Sequence, residues 1–389
     1  MTHPKTIMGK DPYRGTNLEI AYDTTVLSVR EIDHGLNRGL PVISPGFIDG
    51  QVNGYGGLDI NAADITPQTV ISMTAELAKL GVTTWVPTIV TASEEAITGA
   101  LEQIGRACQI DPTTRAAIPC VHVEGPFISD QDGPRGVHNP DFVRPLDAQE
   151  VRRWLRASGM VGIVTVSPHA SDSPAQIAQI RELGVHVAIG HTHASPEQIT
   201  AAITAGARLA THLGNGIATT LPRHPNALWT QLADDRLTAG LIADGHHLPS
   251  DTLKVMIRAK TTERAYLVSD STALAGSEPG RHRTSVGGLV DLAPGGRLSH
   301  VGTDLLAGAA ATLPDGFRNV IQNVGLDLPE ALKMVTSTPA RVIPGTRPGL
   351  GHLHVGSPAD FVLITGEGPE AGTITTAIQS GRLVSGGSA

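Results

Sequence analysis

The chain has 389 residues, 17% of them charged and 40% hydrophobic, with a formal net charge of −8. That balance argues against disorder and gives no footing for nucleic acid or an anionic membrane surface as partner, though an anionic small substrate stays open. The length exceeds one usual core, so a large domain with a smaller companion is expected.

In chain order, residues 1–44 carry short β-type runs, Leu18–Ala21 and Thr25–Val29, too few to fold alone. Matching pieces stand at the other end: Leu353–Val355, Asp360–Ile364, Thr375–Ala377 and Arg382–Val384. Residues 1–44 and 345–389 are therefore expected to form one small β-sandwich, with a catalytic domain over 45–344 between them. Within that domain eight apolar runs recur: Ile43–Asp49, Thr83–Val90, Pro119–Glu124, Gly162–Ser167, His186–His191, Leu209–Leu213, Ala239–Asp244 and Tyr266–Asp270. Helical patterns fill the gaps at Pro67–Leu80, Glu94–Arg106, Asp147–Ala157, Pro174–Leu183 and Ser195–Ala205, with Ser/Thr-Pro pairs among their openings. Eight β/α units in about 300 residues predict an α/β fold of TIM-barrel type, a (β/α)8 metal-dependent hydrolase barrel. Beyond the eighth run, Ser285–Leu292 and Arg297–Val301 flank Ala293-Pro-Gly-Gly296 as a hairpin excursion, and helical pieces follow at Pro314–Val324 and Pro329–Ser337.

Cys108 and Cys120 are too few for a disulfide framework and read as reduced, packed thiols. The first residues contain no apolar targeting segment and no run is long enough to span a bilayer, so a cytoplasmic protein is expected.

Several barrel runs end on a residue able to do chemistry. Val121-His-Val-Glu124 ends on a carboxylate, and His191 and His212 end the fifth and sixth runs. Parallel barrel strands bring their C-terminal ends to one mouth, where these three would meet as metal ligands, leaving a position for water as in a catalytic zinc site. The alternative is that the three merely line a pocket. Asp270 ends the eighth run; beside a metal-bound water it would accept a proton, and otherwise it would cap the next helix. His193, His122 and His246 read as rim, interior and outward-facing residues.

The motifs Pro45-Gly-Phe-Ile-Asp49, His122-Val-Glu-Gly-Pro126, Gly190-His191-Thr192, Thr211-His-Leu-Gly-Asn215, Ala243-Asp-Gly-His-His247 and Val268-Ser-Asp270 follow one another in order. As an ordered set the chain resembles the N-acetylglucosamine-6-phosphate deacetylases of the amidohydrolase superfamily, from about residue 41 to the end. The resemblance implies that Glu124, His191 and His212 hold one divalent ion per subunit, zinc being the expected metal, and that Asp270 is general base and then general acid. It implies that His138 polarises the acetamide carbonyl. Substrate contacts would come from Val137, Asn215, Gly216, Asp244, His247, Leu306, Ala307 and Gly308. Arg223 would reach the substrate phosphate of a neighbouring subunit, which implies a homodimer. The implied substrate is a phosphorylated acetamido sugar, N-acetylglucosamine 6-phosphate, with its galactosamine isomer or another amide as the rival and a non-catalytic sugar-phosphate binder as the third reading.

Several departures stand out. Gln51-Val-Asn53 replaces the His-x-His of many amidohydrolases, and the fourth run lacks a bridging lysine, so a single ion is expected. Gly214 and Gly216 stand where larger residues are usual, which predicts a wider pocket; His169 stands where glutamate is commoner.

Overall fold

The structure, a computed structural model, describes residues 4–32, 39–285 and 287–386. Eight strands form its centre: β1 Phe47–Val52, β2 Val82–Val90, β3 Val121–Glu124, β4 Val161–Val166, β5 His186–Ile189, β6 Leu209–Ala210, β7 Thr238–Ile242 and β8 Ala265–Val268. Sequential neighbours pair in parallel from β1 to β8. The barrel closes just past the strands, where the Asp270 N–H donates to the Gln51 carbonyl at 2.9 Å and Val52 bridges Ser271 in parallel. Helices cover the outside. Thr66 and Ser195 cap the helices Pro67–Lys79 and Ser195's neighbour Pro196–Ala205, each with a capping box and a proline in the first turn, as the Ser/Thr-Pro pairs predict.

The barrel interior is layered. Ile48, Val86, Ile163 and Leu209 form an apolar floor closed from below by Ile343 and Leu350. Above it His122 Nε2 meets Thr165 Oγ1 at 2.6 Å, and Thr165 meets the Thr211 hydroxyl at 2.6 Å. The core therefore becomes polar toward the C-terminal ends of the strands, where the candidate residues stand.

Strands from both termini join in one seven-stranded sheet: Lys5–Lys10, Asn17–Tyr22, Val26–Ile32 and Val42–Pro45 with Phe361–Ile364, Ile374–Gln379 and Arg382–Ser385. Ile7, Ile20, Ile43, Phe361 and Ile378 lie in its core. No helix among the described residues is long and apolar enough to cross a membrane.

Three readings need correction. The run Ile43–Asp49 is two strands, one in the terminal sheet and one in the barrel, because the chain changes sheets at Gly46. Leu353–Val355 is a turn rather than a strand, with Val355 out in solvent. The excursion has three antiparallel strands, Gly280–Thr284, Gly288–Leu292 and Leu298–His300, not two. Its first strand, Gly280–Thr284, is the one not expected, because it is polar and shows no apolar pattern. The helix from Leu313 gives way at Val320 to a π-helical turn through Val324.

Gly46 marks the crossing because its backbone runs against β2: a Cβ there would lie 2.2 Å from Thr83 Oγ1. Overpacking of a tight site costs about 1–3 kcal/mol. Gly46→Ala is expected to lower the free energy of unfolding by that amount in urea denaturation, and an unchanged midpoint would contradict this reading of the junction.

Candidate active site

Three of the expected residues leave their strands with left-handed backbone: His191 at φ 46°, His212 at φ 27° and Asp270 at φ 49°. Such conformations cost of order 1–3 kcal/mol each for residues with a Cβ and persist only where the surroundings fix them. Here they are fixed: the N–H after His212, on Leu213, donates to the Gly240 carbonyl at 2.9 Å, and Asp270 is held by Gln51 as described. At all three sites the strained residue carries the side chain that enters the cluster.

The cluster is compact and buried. Glu124 Oε1 lies 2.8 Å from His212 Nε2 and 3.3 Å from His191 Nε2, and the two imidazole nitrogens are 3.1 Å apart. His138 Nε2 lies 3.3 Å from His191 Nε2, so Glu124, His138 and His191 also present ligand atoms within 4.8 Å of one another. His191 Nδ1 is 2.8 Å from the Pro134 carbonyl, which only accepts; that nitrogen carries the proton and Nε2 turns a lone pair into the cluster. A carboxylate and such lone pairs face each other at contact distance in a buried site, so the arrangement requires a proton or a metal cation at its centre. Burial alone would raise Glu124, yet the neighbouring His191 and His212 imidazoles hold it well below the usual carboxylate range. Burial alone would lower His212, yet the hydrogen bond to Glu124 and its charge carry that imidazole up to about 9. Either way the site retains positive charge.

Asp270 faces the trio. Its Oδ1 accepts from Gln51 Nε2 at 2.9 Å and Asn53 Nδ2 at 2.8 Å, while the same Gln51 amide reaches Glu124 Oε2 at 3.1 Å. Burial, then the charge of Glu124, raises the Asp270 carboxyl to about 6. His138 is pushed down to about 3 by burial, then by the neighbouring His191, and its Nδ1 is 2.8 Å from the Thr91 hydroxyl. It stands in the site as neutral imidazole.

Above these groups opens a cavity of about 680 Å³. Val137, Asn215, Gly216, His247, Leu306, Ala307 and Gly308 are on its wall, as expected. Asp244 is not; it accepts from the backbone N–H groups of His246 and His247 and from His247 Nδ1 at 2.7 Å, so it aims His247 at the cavity. Arg223 stands exposed on the surface and off the wall. His246 turns away to the Gly295 carbonyl, and His193 stacks on His169 with ring centroids 4.4 Å apart at the edge of the site.

The expected widening at the two glycines is overturned. A Cβ on Gly214 would meet Leu248 and Met256 at 3.1 and 3.2 Å, and one on Gly216 would lie 2.8 Å from His191 Nδ1. Neighbouring side chains already fill that space, and both residues have positive φ. Sequence reasoning also missed Thr91 and the Pro134 carbonyl. The first is one of many threonines and the second is backbone, so no local pattern marks either. Gln51 and Asn53 were legible as non-ligands but not as donors to Asp270.

The Amidohydrolase family model matches residues 42–384. An N-acetylgalactosamine-6-phosphate deacetylase of Shewanella sp. (strain ANA-3) is 33% identical over 82% of this chain and 77% of its own. An N-acetylglucosamine-6-phosphate deacetylase of Bos taurus is 31% identical over 86% of this chain and 82% of its own. Among solved structures, the N-acetyl-D-glucosamine-6-phosphate deacetylase of Mycobacterium smegmatis superposes with a TM-score of 0.85 at 30% identity, covering 98% of this chain and all of that one.

Hydrogen bonds from His247 outweigh burial and hold Asp244 down at about 2. A depressed carboxyl stabilises the fold above its unfolded pKa, near 4, and that stabilisation is lost as pH falls toward 2. Asp244→Asn is expected to cost about 2 kcal/mol at pH 7 in urea denaturation, a deficit that shrinks below pH 4. A deficit independent of pH would contradict the pairing.

Proposed function

The chain belongs to the amidohydrolase family, and on that premise we propose that it hydrolyses the acetamide of an N-acetylhexosamine 6-phosphate, with N-acetylglucosamine 6-phosphate as first substrate, releasing acetate and the amino-sugar phosphate. The observation that carries this reading is the buried Asp270 carboxylate, held by two amides opposite the Glu124–His191–His212 trio at the base of the cavity.

The donor set fits a divalent cation. Two imidazoles and a carboxylate already converge in a buried site, and their combined lone pairs and charge call for one. Glu124, His191 and His212 would hold it, zinc suiting this set. When bound, such an ion acidifies a water and polarises an amide carbonyl. Gln51 and Asn53 donate to carboxylates where many relatives place further ligands, which supports one ion per chain. Asp270 takes the proton of the attacking water and later delivers it to the departing amine nitrogen. His138, its Nδ1 held 2.8 Å from the Thr91 hydroxyl, would present Nε2 to the carbonyl oxygen as negative charge develops there. Asp244 keeps His247 aimed at the sugar phosphate. Arg223, exposed on the surface, would serve the cavity of a second copy in a dimer.

The galactosamine epimer is the second reading, since relatives named for each epimer match at similar identity. Acetate release from the two 6-phosphates, measured side by side, tests both; turnover of neither refutes the proposal and leaves a binding protein. Asp270→Asn is expected to cut kcat by roughly 100- to 10,000-fold while metal content stays intact, and substantial residual turnover would refute its role. The base must be ionised, so kcat/KM falls on acidification. A nearby cation lowers the Asp270 value, which places the acid limb at or below about 6. A limb well above 6 would point to another base.

A further inference from the structure

A phosphate dianion must enter a cavity whose wall already carries the carboxylates of Asp59, Glu124, Asp132, Asp270 and Asp304. The metal trio neutralises only the deepest of these. Among the described residues, the one Arg or Lys on that wall is Arg135. Arg223 is outside it, and His247 spends Nδ1 on Asp244.

Arg135 is built into the site rather than draped over it. Its side chain is 19% exposed; Nη1 donates to the Asp130 carbonyl at 2.8 Å and Nη2 to Asp132 Oδ1 at 2.5 Å. Asp132 itself is 91% exposed, so that ion pair is weakened by solvent. The Nε–H is buried with no acceptor. A buried donor left unpaired costs about 1–3 kcal/mol, which a bound anion would relieve. The loop bearing Arg135 lies against His191 and the segment that follows Gly216: a Cβ on Gly133 would be 3.5 Å from the Ile217 carbonyl, and one on Gly136 would be 3.4 Å from His191 Cε1. Arg135 thus shares its cavity wall with Asn215 and Gly216, the residues that the sequence assigns to substrate contact.

We propose that Arg135 is a phosphate-binding residue supplied by the same chain, selecting substrates that carry an anionic 6-substituent. The assignment rests on the deacetylase reading above. Its electrostatic logic is local: a fixed guanidinium offers several directed donors and no acceptor, which suits a phosphate amid carboxylates.

The competing role is structural, since the same guanidinium braces the loop that carries His138 and Pro134. Steady-state kinetics on N-acetylglucosamine 6-phosphate and unphosphorylated N-acetylglucosamine separates the two, using wild type, Arg135→Gln and Arg135→Lys, with inhibition by inorganic phosphate measured in parallel. Arg135→Gln is expected to lose roughly 10- to 100-fold in kcat/KM on the phosphorylated sugar, mainly through KM. That loss should exceed the loss on the unphosphorylated sugar at least tenfold, with weaker inhibition by phosphate and partial recovery in Arg135→Lys. Equal losses on both sugars, or none on either, overturn the assignment. Wild type that ignores the phosphate refutes the deacetylase reading and this assignment with it, an outcome visible before any variant is made.

Discussion

A carboxylate sealed at the end of a barrel strand cannot stay ionised without a counter-charge, and Glu124 is such a group. Every nearby feature answers that demand. His191 is locked by the Pro134 carbonyl into the tautomer that turns a lone pair inward, His212 closes from the next strand, and the Gln51 amide donates to the remaining oxygen. The same demand that would otherwise destabilise the fold makes a candidate cation site, and the barrel supplies rigidity enough to hold three residues in left-handed backbone around it.

Asp270 depends on this arrangement in turn. Its backbone N–H closes the barrel through Gln51, and its side chain accepts from the same residue and from Asn53. Barrel closure and the aim of the carboxylate are thus one structural event. A change at Gln51 would disturb both, which is why the residue reads poorly as a mere substitute for a missing ligand.

Much of this was legible in the sequence because barrel strands end where chemistry begins. The eight apolar runs, their terminal Glu124, His191, His212 and Asp270, and the pairing of the two chain ends all show as local pattern. What stayed hidden was interaction that has no pattern. The split of the first run at Gly46 reflects a close approach to Thr83, which only the fold brings near. The glycines at 214 and 216 suggested empty space, while Leu248, Met256 and His191 occupy it. Asp244 looked like a substrate contact and proves to be the partner of His247, because spacing along a turn does not say which side chain faces the cavity. Arg135 sat unremarked in a loop of mixed charge, and its place on the wall follows from packing against the segment after β6.

The central claim is that Glu124, His191 and His212 exist to hold one cation. Elemental analysis of the purified protein, wild type against Glu124→Gln, addresses it directly. The account predicts close to one divalent ion per wild-type chain and little or none in a folded Glu124→Gln chain. Full metal content without that carboxylate, or an active wild-type chain that binds no ion, would contradict it.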